Sequence, residues 1–259
     1  MVKKYVRQWA FFGWVLLVVS LAVATFYIIK IIKTQQALAK AQATYYASFG
    51  INMPLNYTIH GLDISSHQNI IYWPAVKAMK VSDVAINFSF IKATEGINNI
   101  DKNFKRNWQI TNQIGITHGA YHFFLATKNG TIQAENFISL VKLNKGDLPP
   151  VVDVEELYGV QPIIMQQRLK ACLDKLENQY HVKPIIYTYV DFYENYLGKN
   201  FNDYPLWVAH YLEPNKPRIK RNWLFWQHSD KAHISGITKF VDFNVFNGDS
   251  TEFRKILIK

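Results

Sequence analysis

From Ile59 onward, strand-like and helix-like patterns alternate along the chain, and no other feature narrows its possible folds as much. Apolar, β-prone runs at 59–64, 84–92, 117–124, 151–155 and 184–188 are separated by helical patterns at 73–80, 103–113, 131–143 and 162–179. In the last of these helices Leu169, Cys172, Leu173, Leu176 and Tyr180 recur at i, i+3, i+4, i+7 and i+11, which makes one buried face. Alternation of this kind predicts parallel strands joined by crossover helices. Later the rhythm changes: 206–211, 223–227 and 240–244 are strand-like, with little helical pattern between them. An α/β chain of about five βα units followed by three strands is expected to close as an irregular, TIM-like, eight-stranded barrel.

In such a barrel the carboxyl ends of the strands build the pocket. Pro149-Pro150-Val151-Val152-Asp153-Val154-Glu155 closes an apolar run with two acids two residues apart. Side chains at i and i+2 share one strand face, with Cα atoms roughly 6.5–7 Å apart. Two carboxyls in one poorly hydrated site push their pKa values apart, so that one keeps its proton while the other ionises, an arrangement suited to glycosidic bonds. Taken alone, the pair fits a solvated strand edge equally well. Other strand ends add to it. Asp63 ends the first, Lys92 and Glu95 follow the second, Tyr121 and His122 end the third, and Tyr187 the fifth. Trp207 and Tyr211 belong to the sixth, Trp226 and Gln227 to the seventh, Asp242 to the eighth. Exposed aromatics beside carboxylates suit the apolar C–H faces of sugars. Each residue also has a plainer reading: a turn for Asp63 or Asp242, a surface pair for Lys92 and Glu95, a packed core histidine for His122. No metal is expected, because it would neutralise the carboxyl cluster instead of splitting its pKa values, and no cofactor is expected, because Gly-rich phosphate loops are missing.

The first 33 residues differ in kind. Trp9 to Ile29 is 21 residues without a charge, preceded by Lys3, Lys4 and Arg7 and followed by Lys30 and Lys33. That length spans a bilayer as a helix, with aromatics near both ends as interfacial anchors. Residues 1–33 are therefore expected to be an uncleaved membrane anchor holding an extracytoplasmic domain, the alternative being secretion after cleavage near Ala24. Residues 34–58 are read as a juxtamembrane helix and linker without evident chemistry, and 59–259 as the catalytic barrel, expected to be monomeric. The net charge of +10 does not indicate a nucleic-acid partner. Six of the 29 Lys and Arg lie in residues 1–45, which hold none of the 19 acids, leaving 23 against 19, or +4, for the rest. The lone Cys172 falls on an apolar helix face and is read as core.

Eight motifs in order carry a resemblance: Gly61-Leu62-Asp63-Ile64-Ser65, Lys92-Ala93-Thr94-Glu95-Gly96, Gly119-Ala120-Tyr121-His122-Phe123, Pro149 to Glu155, Ile186-Tyr187-Thr188, Leu206-Trp207-Val208-Ala209, Trp226-Gln227-His228-Ser229 and Val241-Asp242-Phe243-Asn244. Over about residues 59–250 the chain resembles the glycoside hydrolase family 25 muramidases. The resemblance implies a (β/α)5β3 barrel that cleaves the β-1,4 bond between N-acetylmuramic acid and N-acetylglucosamine in peptidoglycan glycan strands. By position, Glu155 matches the general acid, Asp153 its partner carboxylate, and Asp63 and Asp242 the flanking acids of the groove. On this reading Asp153 and burial raise the pKa of Glu155, and Tyr187 donates to the acetamido oxygen of the sugar. Tyr121, Trp207, Trp226, Gln227, Lys92 and Glu95 complete the expected binding residues. Leu62 and the extra charge of Glu156 depart from the family pattern. The alternatives are a catalytically silent peptidoglycan-binding module and a hydrolase of another N-acetylated glycan such as chitin.

Overall fold

Inward and outward side chains alternate along the barrel strands except at bulges such as Lys92–Thr94 and Gln227–Ser229, and that alternation explains both the core and the cavity. The computed structural model describes the backbone of residues 2–41, 43–211 and 213–259, and the side chains of 14–35, 44–211 and 213–259. Eight strands form the barrel: β1 (His60–Ile64), β2 (Val84–Glu95), β3 (Thr117–Phe123), β4 (Val151–Asp153), β5 (Ile185–Tyr189), β6 (Leu206–Ala209), β7 (Phe225–Ala232) and β8 (Val241–Phe246). They pair in sequence order, and β1 pairs with both β2 and β8, so the sheet closes. All neighbours from β1 to β7 are parallel, whereas β8 runs antiparallel to β7 and β1.

Helices Trp73–Ala78, Phe104–Gln113, Gly130–Leu140 and Pro162–Tyr180 cover the first four crossovers, and short helical turns from Val190 to Phe201 cover the fifth. Among the described residues, no helix separates the last three strands. The longest of the covering helices starts with Pro162 in its first turn, buries Met165, Leu169, Cys172, Leu173 and Leu176, and stops at His181, whose φ of 56° is left-handed.

Two apolar layers result. Outward residues such as Val152, Ile186 and Val208 belong to the layer beneath the helices. Inward residues at the amino end of the barrel, Phe88, Phe90, Phe225 and Phe246, fill its interior with Trp207. Phe90 stacks on Trp207 at 4.4 Å between ring centroids. Gly61 makes this filling possible, because a Cβ there would lie 2.5 Å from the Phe88 ring. The helix Ser250–Ile256, capped by Asp249 and Glu252, closes this end by placing Phe253 against Phe88 and Phe246. Burial of each such ring contributes on the order of 1.5–3 kcal/mol.

The amino-terminal helix Val2–Ala41 contains an apolar stretch, Trp14–Gln35, long enough to cross a membrane and not buried against the rest of the protein. The side chains of Lys3, Lys4, Arg7, Trp9, Phe11 and Phe12 lie outside the described residues. The segment expected to be a linker is ordered differently in its second half. Ala43–Tyr46 and Ile51–Pro54 form an antiparallel hairpin that turns through Gly50 at φ +69°. Phe49 is fully buried against Phe243, and the Phe49 carbonyl accepts from the His233 N–H at 2.8 Å. Short strands and a tyrosine pair gave this hairpin too weak a periodicity to stand out in sequence.

Candidate active site

Asp63 stands near the end of β1, and directly across from it on β8 stands Asp242. Asp242 lies at the start of its strand, not at the end expected from sequence. Because β8 is antiparallel, its beginning reaches the face where the other strands finish. Asp153 ends β4, and Glu155 follows two residues later, with Val154 turned into the outer core between them. These four acids, with Lys92, Tyr121, Phe123, Tyr187, Trp207, Tyr211 and Gln227, line a cavity of about 280 Å³.

Two expected residues are placed elsewhere. Trp226 neighbours the inward Phe225 and Gln227 and therefore points outward. It is fully buried among Tyr57, Trp223 and His228, and its indole N–H donates to the His210 carbonyl at 2.9 Å. The expectation that it lines the groove is corrected by strand parity. Glu95 is outside the lining but pairs with Lys92, Nζ to Oε2, at 2.6 Å. The same ammonium lies 4.7 Å from the centroid of the Phe123 ring. His122, fully buried, bonds Thr94 and Gln133 on the outer side, as a core histidine does.

Hydrogen bonds fix the orientation of the floor of the cavity. The Gln227 Oε1 accepts from the hydroxyls of Tyr187 and Tyr211 at 2.8 and 2.6 Å, so its amide nitrogen faces Asp63 Oδ2 and donates at 2.8 Å. The Asn244 Oδ1 accepts from the indole of Trp207, which can only donate, so the Asn244 amide nitrogen also donates to Asp63 Oδ2, at 2.7 Å. Asp63 is thereby held as an acceptor. Asn244 was not anticipated as a functional residue. Its signal was the i, i+2 spacing from Asp242, which puts both on the inner face of β8. The Tyr187 hydroxyl donates to Gln227 on the floor of the cavity.

Burial raises every acid here, but unequally. Asp63 is pushed up to about 6 by burial, with the two amide donors opposing. Asp242 is pushed up to about 9 by burial, by the Asp63 charge and by a carboxyl-to-carboxyl hydrogen bond in which it keeps the proton. Asp153 is held well above the usual carboxylate range by burial and then by the Glu155 and Asp63 charges. Its Oδ1 is buried with no partner among the described residues. Glu155 is raised by burial, while the Tyr187 hydroxyl and the Lys92 ammonium pull it back. The Glu155 charge adds to the rise at Asp153, the deeper of the two. Among the described residues, no three His, Cys, Asp or Glu side chains are arranged to hold a metal ion.

A carboxyl cluster at the mouth of a (β/α)5β3 barrel has known counterparts. Residues 62–237 match the model for glycosyl hydrolases family 25. Over 207 residues the chain is 42% identical to an uncharacterized Escherichia coli K12 protein, YegX, covering 80% of this chain and 76% of that one. It is 32% identical to lysozyme M1 of Streptomyces globisporus, covering 74% and 69%. The structure of a family 25 glycosyl hydrolase from Bacillus anthracis superposes with a TM-score of 0.73 and 32% identity, covering 82% and 99% of the two chains.

Proposed function

The chain belongs to glycosyl hydrolase family 25, and from that premise we propose that its carboxyl-lined cavity hydrolyses the β-1,4 bond between N-acetylmuramic acid and N-acetylglucosamine in peptidoglycan, as a lysozyme. One observation carries the reading: Glu155, the least enclosed of four converging acids, lines both the cavity and the groove that opens from it, with a pKa raised by burial.

Glu155 delivers its proton to the glycosidic oxygen as the C1–O bond breaks and its electron pair goes to that oxygen. Positive charge develops at C1. Asp63, whose orientation is held by Gln227 and Asn244, supplies the fixed negative charge that stabilises it. Water then adds at C1, and its proton restores Glu155. Burial holds the Asp153 carboxyl well above the usual carboxylate range, and its unpartnered oxygen suits it to orient the acetamido group of the sugar. The helix containing Trp14–Gln35 anchors the barrel, as a monomer, on the outer face of the cytoplasmic membrane. Cell fractionation tests this part: a full-length product in the membrane fraction is expected, and a shortened soluble one would refute it.

Glu155→Gln is the decisive variant. Removing a positioned general acid lowers turnover by about 10²–10⁴-fold. The variant should leave no clearing in a cell-wall zymogram yet still sediment with insoluble peptidoglycan. Wild-type digests should yield muropeptides ending in reducing muramic acid, and release of any other reducing end would overturn the bond assignment.

A further inference from the structure

The catalytic cavity of about 280 Å³ is smaller than ordinary small-ligand sites, roughly 300–1,000 Å³, so a polymer seated there must continue outside it. A groove of about 610 Å³ adjoins it and shares Tyr211. One wall is β7 with its Lys231, another the loop of Glu213, and the third is the hairpin that precedes the barrel. That hairpin lies before residue 62, where the match to the family begins. Its two faces are unlike. Ile51 and Met53 are buried with Phe49, whereas Asn52 points out. Tyr45 is directly opposite Asn52 in the ladder and 62% exposed, so ring and amide share the outer face.

We propose that this hairpin is a glycan-binding element, in which Tyr45 and Asn52, facing Tyr211 and Lys231, hold sugar residues of the strand beyond those in the catalytic cavity. The proposal rests on the peptidoglycan hydrolase reading. Exposed tyrosine rings offer platforms to the C–H faces of pyranose rings, and Asn52 and Lys231 offer donors to hydroxyl and acetamido oxygens. Continuity favours a glycan strand over an unrelated ligand, because Tyr211 borders both spaces and donates to the Gln227 that positions Asp63. The apolar side of the hairpin is anchored by packing, which leaves its outer side free to bind.

The test uses the full chain in detergent with two substrates: long peptidoglycan glycan strands, and a tetrasaccharide of the same repeat. Combined Tyr45→Ala and Asn52→Ala should raise KM for long strands by about three- to tenfold, as expected for loss of one aromatic platform, with kcat unchanged. The tetrasaccharide should be cut as by wild type, and Tyr45→Phe should restore most of the affinity for long strands. Unchanged KM on long strands would overturn the proposal. So would equal losses on both substrates together with a lower Tm, which would mark the hairpin as structural only. If wild type cuts neither substrate, the hydrolase reading fails by itself. The hairpin is then judged by sedimentation of Glu155→Gln with insoluble peptidoglycan, which the added Tyr45→Ala and Asn52→Ala must weaken for the proposal to stand.

Discussion

The two ends of the barrel interior are built from the same strands and have opposite chemistry. On β4 the inward pair is Val151 then Asp153, on β5 Ile185 then Tyr187, and on β7 Phe225 then Gln227. On the reversed β8, Phe246 lies at the apolar end and Asn244 and Asp242 at the polar one. Two residues along a strand, about 6.5–7 Å, separate a packed aromatic plug from a cluster of acids. The lower end stabilises the molecule through burial. The upper end works against it, since acids that resist ionising are held in a site where negative charge accumulates. Stability and chemistry are thus divided along the barrel axis, and substitutions at each end should move different observables.

Phe225→Ala at the lower end should have the largest effect on stability. It removes a fully buried ring that touches Phe88, Phe90 and Phe246, at a cost of about 3–5 kcal/mol. Denaturant melts should show the loss, and activity per folded molecule should stay near wild type. A loss of activity without a loss of stability would break the division between the ends.

Asp242→Asn should act in the opposite direction. Asp242 keeps its proton up to about pH 9 when folded but releases it near 3.8 when unfolded, so its stabilising share is complete below about pH 4 and is lost as pH rises towards 9. Asparagine does not titrate. The variant should gain about 1–2 kcal/mol over wild type near pH 8, roughly 3–8 °C in Tm, and little at pH 4, while losing activity. Melting curves across that range check it, and a difference independent of pH would show that the charge is not the cause.

The pH profile sharpens the role assigned to Asp63. Because Asp63 takes a proton at about 6, kcat/KM should fall below that pH. Asn244→Ala removes one of the two donors to Asp63 and should move this acid limb upward, by on the order of one pH unit. An unmoved limb would assign it to another group. The smallest effect is expected for Trp226→Phe, which should lower stability by about 1–2 kcal/mol yet alter KM less than about twofold, because its ring faces away from the cavity. A large rise in KM would return Trp226 to the groove.

Much of this architecture was legible in the residues. Strand and helix periods differ, so β1 to β7 and the covering helices stood out, as did acids at strand ends. Trp226 was misassigned because it sits beside Gln227 near the same strand end, and strand parity separates them only once the inward face is known. Asn244 escaped notice because an asparagine is ordinary until its amide is seen between Trp207 and Asp63. The hairpin escaped because two four-residue strands carry almost no periodic signal.

By itself, the order of residues determined the local elements, the alternating faces of each strand, the apolar helix near the amino terminus and the family to which the barrel belongs, since these follow from patterns between near neighbours. Only the tertiary structure decided that β8 reverses to bring Asp242 against Asp63, that Asp153 lies deeper than Glu155, and that the hairpin docks beside the cavity. Those outcomes depend on contacts between residues as far apart as Asp63 and Asn244, and on how much water each carboxyl keeps, which no local pattern encodes.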